Sequence, residues 1–122
     1  METGPAKSFQ NLVVWQKSHA LALNIYRVSA RFPKTEQYGL AVQMQRAAVS
    51  IPANIAEGFG RFSRLEKRRF LNIAQGSVEE LRYYLILAND LGYSVDPSLS
   101  IDVDEVGRML EAYRRRISPA PS

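Results

Sequence analysis

The alternation of apolar and polar residues divides the chain into four helical stretches. In the first, Leu12, Trp15, His19, Ala22 and Tyr26 recur at intervals of three and four, with Leu21, Ile25, Val28 and Phe32 as a second row beside them. Lys17, Ala20, Asn24, Arg27 and Arg31 fall on the opposite side. Asn11 can cap this helix, and Pro33 stops it because the residue before a proline avoids the α region. The spacing predicts a helix over about residues 12–32.

The second stretch has a core row of Leu40, Met44, Ala47, Ala48, Ile51 and Ile55, predicting a helix over about residues 36–59. Gln43, Arg46, Ser50, Asn54 and Glu57 make a single polar line along another side, and Tyr38, Val42 and Val49 leave the remaining surface apolar. A helix apolar on nearly all sides is buried on nearly all sides, which in a bundle this small calls for cover from a second subunit. Ala47, Ala48, Ser50, Ala53 and Ala56 allow another helix to approach closely. Pro52 removes an N–H and crowds the Ala48 carbonyl, a cost of about 3 kcal/mol in a helix interior, so a bend is expected there. Gly58 and Gly60 supply the stop.

Ser63-x-x-Glu66 is a capping-box pattern that opens a third helix. Phe70, Ala74, Ser77, Leu81, Tyr84, Ala88 and Leu91, widened by Leu71, Val78 and Leu85, predict that it runs over about 63–91, with Gly92 past its end. Gly76 in mid-helix costs roughly 1 kcal/mol relative to alanine, which implies close packing against it. After Pro97, the row Leu99, Val103, Val106, Leu110, Tyr113 and Ile117 predicts a fourth helix over about 99–117. Its acids (Asp102, Asp104, Glu105) lie toward the start and Arg114, Arg115 and Arg116 at the end, the order the helix dipole favours. No strand pattern is present. The expected fold is all-α: an antiparallel up-down-up-down four-helix bundle over residues 9–117, with a flexible arm at 1–8 and a flexible tail at 118–122.

Composition narrows the function classes. A length of 122 residues with 46% hydrophobic and 23% charged side chains describes one globular domain. With no cysteine, disulfides and thiolate metal sites are excluded, and the lone His19 cannot build a zinc site of the usual kinds. No metal or cofactor is expected. The N-terminus has no signal-peptide pattern, and no apolar run approaches the roughly 20 residues of a membrane span. The expectation is a cytoplasmic protein without membrane contact. A net charge of +4 permits an anionic partner.

Two clusters carry candidate chemistry. Glu57 and Asn54 share a helix side, and a buried acid can serve acid–base work. Yet no second carboxylate stands at a comparable place, and no activated serine, ligand set or phosphate loop accompanies it. No catalytic residue is assigned and the expectation is a non-enzyme. Arg46, Ser50, Asn54 and Glu57 read instead as buried polar packing that specifies how helices or subunits meet. The second cluster is Arg61, Arg64, Lys67, Arg68 and Arg69. Arg61, Arg64 and Arg68 line one side of the corner between the second and third helices. Cations at a helix N-terminus oppose the macrodipole, which argues against a purely stabilising role; with free N–H groups they favour phosphate. The competing reading is a solvated face partly neutralised by Glu57 and Glu66. Ile73, Tyr83, Ile86 and Leu87 fall partly off the core row and add to the apolar surplus, favouring self-association.

The run Phe9-x-x-Leu12-x-x-Trp15, Phe32-Pro33, Glu36-x-Tyr38-Gly39-Leu40 and Gln43-x-x-Arg46-Ala-Ala-x-Ser50-Ile-Pro-Ala-Asn-Ile-Ala-Glu57-Gly-x-Gly-Arg61 resembles a known family. These are the four-helix-bundle proteins encoded within intervening sequences of bacterial 23S ribosomal RNA genes. Phe70-Leu-x-Ile-Ala-x-Gly76-Ser77-x-x-Glu80-Leu and Leu91-Gly-Tyr93 continue the match, which covers about residues 9–93. The resemblance implies a homopentameric ring with a basic surface, a role in binding RNA, and no catalytic residues. The accessory variability proteins of diversity-generating retroelements are similar in fold. They imply an alternative role, a scaffold that binds a reverse transcriptase and its template RNA. On the first reading Arg61, Arg64, Lys67 and Arg68 are the nucleic-acid contacts, an assignment from spacing that only at Arg61 coincides with the family motif.

Overall fold

The computed structural model describes residues 5–117, and most of them lie in four α-helices: α1 (Val13–Ser29), α2 (Leu40–Phe59), α3 (Arg64–Asp90) and α4 (Ser98–Ile117). The expected tail at 118–122 and the first four residues of the expected arm lie outside the described residues. Each helix packs against its neighbours in the chain, and α4 closes back against α1. The described residues contain no strand. Ile25, Met44, Ile51, Ile55, Val78, Leu81, Val103 and Leu110 fill the centre, each with no accessible surface.

The most extensive helix packing is between α2 and α3. A Cβ at Gly58 would stand 3.2 Å from Cβ of Phe70 and 3.3 Å from the Lys67 carbonyl oxygen. Ala47 and Ala74 are buried on the same pair of helices. Midway along it, the Ser77 hydroxyl donates to the Ser50 hydroxyl at 2.7 Å, and Asn54 Nδ2 donates to the Ser50 carbonyl at 2.8 Å and its Oγ at 3.0 Å. α2 continues through Pro52 without interruption.

At the far end, a second set of contacts joins the two other corners. The Tyr93 hydroxyl donates to Glu36 Oε2 at 2.7 Å, and the Phe32 and Tyr93 rings lie 5.3 Å apart. That hydrogen bond, then burial, pushes the ionisation of Tyr93 up. Gln37 Nε2 donates to the carbonyls of Ser29 and Phe32 at 3.1 and 2.9 Å, closing the end of α1.

Several boundaries differ from the periodicity. The first helix is shorter than 12–32: Ser8 and Asn11 cap each other around a 3₁₀ turn at Phe9–Asn11, so Asn11 serves that turn and α1 starts at Val13. The same turn draws Ser8 out of the expected loose arm. The chain leaves α1 after Ser29, and Phe32 is buried beyond the helix. The second helix does not begin at 36. Lys34–Glu36 is another 3₁₀ turn, and Gly39, at φ −116° and ψ −109°, breaks the chain before Leu40. Ser63 accepts the Glu66 N–H at 3.1 Å as the capping pattern requires, although the Glu66 carboxylate turns to Arg69 at 3.6 Å. Gly92 takes the left-handed conformation (φ 85°) that ends α3. α4 begins at Ser98, whose N–H is held by Asp96 Oδ1 at 2.9 Å.

The buried face of α1 is rotated from the expected one. Val14, Ser18, Leu21, Ala22, Ile25 and Ser29 point inward, whereas His19 and Tyr26 are exposed. Ser18 and Ser29 can be buried because each hydroxyl donates to a carbonyl one turn back, at 2.9 and 3.3 Å. His19 stacks on Trp15 at 5.0 Å on the surface. Gly76 is also corrected: nothing lies within 4 Å of where its Cβ would be.

These two glycines separate packing from propensity. Gly58→Ala should destabilise the protein by about 1–3 kcal/mol, because the Lys67 backbone cannot yield. Gly76→Ala should stabilise a single chain by up to about 1 kcal/mol. Urea denaturation of both variants checks the pair; equal effects would contradict this account of the α2–α3 crossing.

Candidate nucleic-acid interface

Charge is segregated along the bundle. The antiparallel order puts the start of α1, the α2–α3 corner and the end of α4 at one end. That end collects Lys7, Lys17, Arg61, Arg64, Lys67, Arg68, Arg69, Arg114, Arg115 and Arg116, against only Glu57, Glu66 and Glu111 among the described acids. Glu36, Glu79, Glu80, Asp90, Asp96, Asp102 and Asp104 lie in the other half with Arg27, Arg31, Lys34, Arg46, Arg82 and Arg108, and Lys17 pairs with Glu105 at 3.5 Å where the two halves meet.

The acids at the basic end are already engaged. Glu57 Oε2 pairs with Arg61 at 3.2 Å, and Glu66 with Arg69. Glu111 takes two bonds from Arg114, at 3.1 and 2.7 Å, and one from Arg115 at 3.1 Å. Arg114 above all holds the Glu111 carboxyl below its ordinary ionisation range.

The four predicted contact residues are brought to one corner but have different tasks. Arg61 is tied to Glu57 and lies over the Phe70 ring at 4.7 Å, with about half its side chain still exposed. Lys67 is turned inward: Nζ donates to the Phe59 carbonyl at 2.8 Å and the Gly58 carbonyl at 3.3 Å, satisfying the last turn of α2. Its reading as a phosphate contact gives way to a capping role, because orphan carbonyls at a helix end attract the nearest ammonium. Arg64 is exposed and has no ion pair among the described residues. Arg68 likewise has none, and its Nε is buried without a hydrogen-bond partner. Arg68 lines an open groove of about 810 Å³ with Leu65, Glu66, Arg69, Asn72 and Ile73.

The expected buried polar line on α2 does not form as a unit. Ser50 and Asn54 are half-buried and bonded to each other and to Ser77, while Arg46 and Glu57 are exposed. Glu57 is therefore a surface ion-pair partner: it is exposed, while its neighbour Gly58 is the residue buried against Phe70 and Leu71 of α3. Among the described residues no group of three or more His, Asp or Glu could hold a metal.

Periodicity also passed over Phe62 and Leu65. Phe62 is wholly exposed and Leu65 is 75% exposed, beside Arg61 and Arg64. The signal was available: an aromatic between Gly60 and the Ser63 cap lies in a turn, where no helix row can bury it. Other exposed apolar groups, Leu23, Tyr26, Val49, Ile73 and Tyr83, lie on α1, α2 and α3. No helix among the described residues is long and apolar enough to cross a membrane.

Comparison with known proteins bears on this end of the bundle. A family model described as 23S rRNA-intervening sequence protein matches residues 10–112. No curated protein matches the chain. A crystal structure from Bacteroides thetaiotaomicron, described as a protein of unknown function from the S23 ribosomal protein family, superposes with a TM-score of 0.78. It is 27% identical, and the alignment covers 84% of this chain and 96% of that one.

Lys67→Met should lower stability by about 1 kcal/mol, since two carbonyls lose a charged donor. Arg64→Glu should leave thermal unfolding within about 0.5 kcal/mol of the parent. Calorimetry of the two variants tests the division; equal losses would contradict it.

Proposed function

The chain belongs to the family of 23S rRNA-intervening sequence proteins, and from that premise we propose that it is a non-enzymatic, self-associating protein that binds RNA through phosphate contacts. One observation carries the reading: the basic end of the bundle, where Arg64 and Arg68 have no acidic partner. Cations held by neighbouring carboxylates have little to offer a phosphate, whereas unpaired guanidiniums form strong, often bidentate bonds to one. Binding of this kind is set by charge and shape and carries little sequence preference. Exposed apolar side chains on α1–α3 supply the self-association, and a homopentameric ring would present five basic ends together.

A second reading rests on the same exposed side chains. Leu23, Val49, Ile73 and Tyr83 are each more than 40% exposed, and such surface also suits a protein partner. In that role the protein is a scaffold that joins a reverse transcriptase to its template RNA.

The test is binding of a structured RNA across a salt series, with sedimentation defining the associated species. The parent should lose affinity steeply with salt. Arg64→Glu with Arg68→Glu should weaken binding at least about tenfold and flatten the salt dependence. Undiminished affinity in the double variant contradicts the phosphate site; a monomer at micromolar concentration contradicts the ring.

A further inference from the structure

The basic corner carries an aromatic group that phosphate contacts alone do not use. Phe62 is the most exposed large hydrophobic side chain among the described residues, at 103% of its reference surface. It stands in the short turn between α2 and α3, where neither helix can cover it. Arg61 precedes it, held by Glu57 and the Phe70 ring, and Arg64 follows two residues later with no ion pair among the described residues. Leu65, 75% exposed, extends the apolar surface by one helical turn.

A bare aromatic ring fenced by guanidinium groups suits a ligand that is aromatic and anionic at once. A second copy of this corner would set like charges against each other. A duplex offers phosphates but keeps its bases stacked inside. Unpaired nucleotides offer both, and base–aromatic stacking tolerates any sequence.

The geometry points to Phe62 as a stacking platform for an unpaired base of single-stranded RNA, with Arg64 on the flanking phosphate. The inference rests on the RNA-binding reading above and narrows it to unpaired segments such as loops, bulges and ends. Tyr38 supplies an internal control: it is 95% exposed but sits at the opposite end of the bundle, on the turn after Glu36.

The experiment measures binding of the full chain to a labelled unstructured 20-nucleotide RNA and to the same sequence as a perfect duplex. Phe62→Ala should weaken single-strand binding about tenfold, the effect of roughly 1.4 kcal/mol of lost stacking. It should leave duplex affinity and the salt slope unchanged, since no phosphate contact is removed. Phe62→Trp should restore binding, and Tyr38→Ala should have no effect. Equal loss on both RNAs, no loss on either, or a changed sedimentation coefficient in Phe62→Ala overturns the stacking role while leaving RNA binding intact. Failure of the parent to bind either RNA at low salt overturns the broader reading and this inference with it.

Discussion

The close crossing of α2 and α3 is the constraint on which the rest of the structure depends. Gly58 lets the two backbones meet where α2 ends, with the Lys67 carbonyl only 3.3 Å from the missing Cβ. The approach brings Lys67 within reach of the Gly58 and Phe59 carbonyls, so the last turn of α2 is capped by the first turns of α3. The cap takes Lys67 out of the surface and fixes the turn between the helices. Arg61, Phe62 and Arg64 are left on the outside of that turn. A packing requirement thus turns Lys67 inward and leaves Arg61 and Arg64 exposed.

Long-range charge follows from topology. In an antiparallel bundle the start of α3 and the end of α4 share an end, so basic residues far apart in the chain accumulate there. The arginines at the end of α4 complement its dipole. Those at the start of α3 oppose that helix's dipole, and Ser63 and Glu66 offset only part of the cost. That uncompensated cost at the start of α3 is one of the observations behind the proposed phosphate site. The excess of acids in the opposite half gives the bundle a charge asymmetry along its length.

Much of this fold was legible in the sequence, and the failures have physical causes. The core row of α3 was readable because Ala74, Leu81 and Ala88 repeat without interruption and a capped start fixes the register. The inward face of α1 was misjudged because Ser18 and Ser29 look polar until their hydroxyls bond to the preceding turn. Residues before Leu40 fit a helical period, yet Gly39 and the 3₁₀ turn before it break the chain. At the candidate site, the cluster Arg61–Arg68 was visible as charge. The division of labour within it was not, because Lys67 is drawn inward by carbonyls of another helix. Phe62 was invisible to a search for periodic burial since it belongs to no face. Gly76 was misread because its helical cost looked like a packing requirement, whereas the space beside it is open.

Hydrogen–deuterium exchange with and without a structured RNA tests the central claim most directly, since it locates contact along the whole chain at once. The account predicts slower exchange confined to about residues 60–72 and the last turns of α4, with the opposite end unchanged. Protection at Lys34–Leu40 or around Asp96–Ser98, with the α2–α3 corner unaffected, would contradict it.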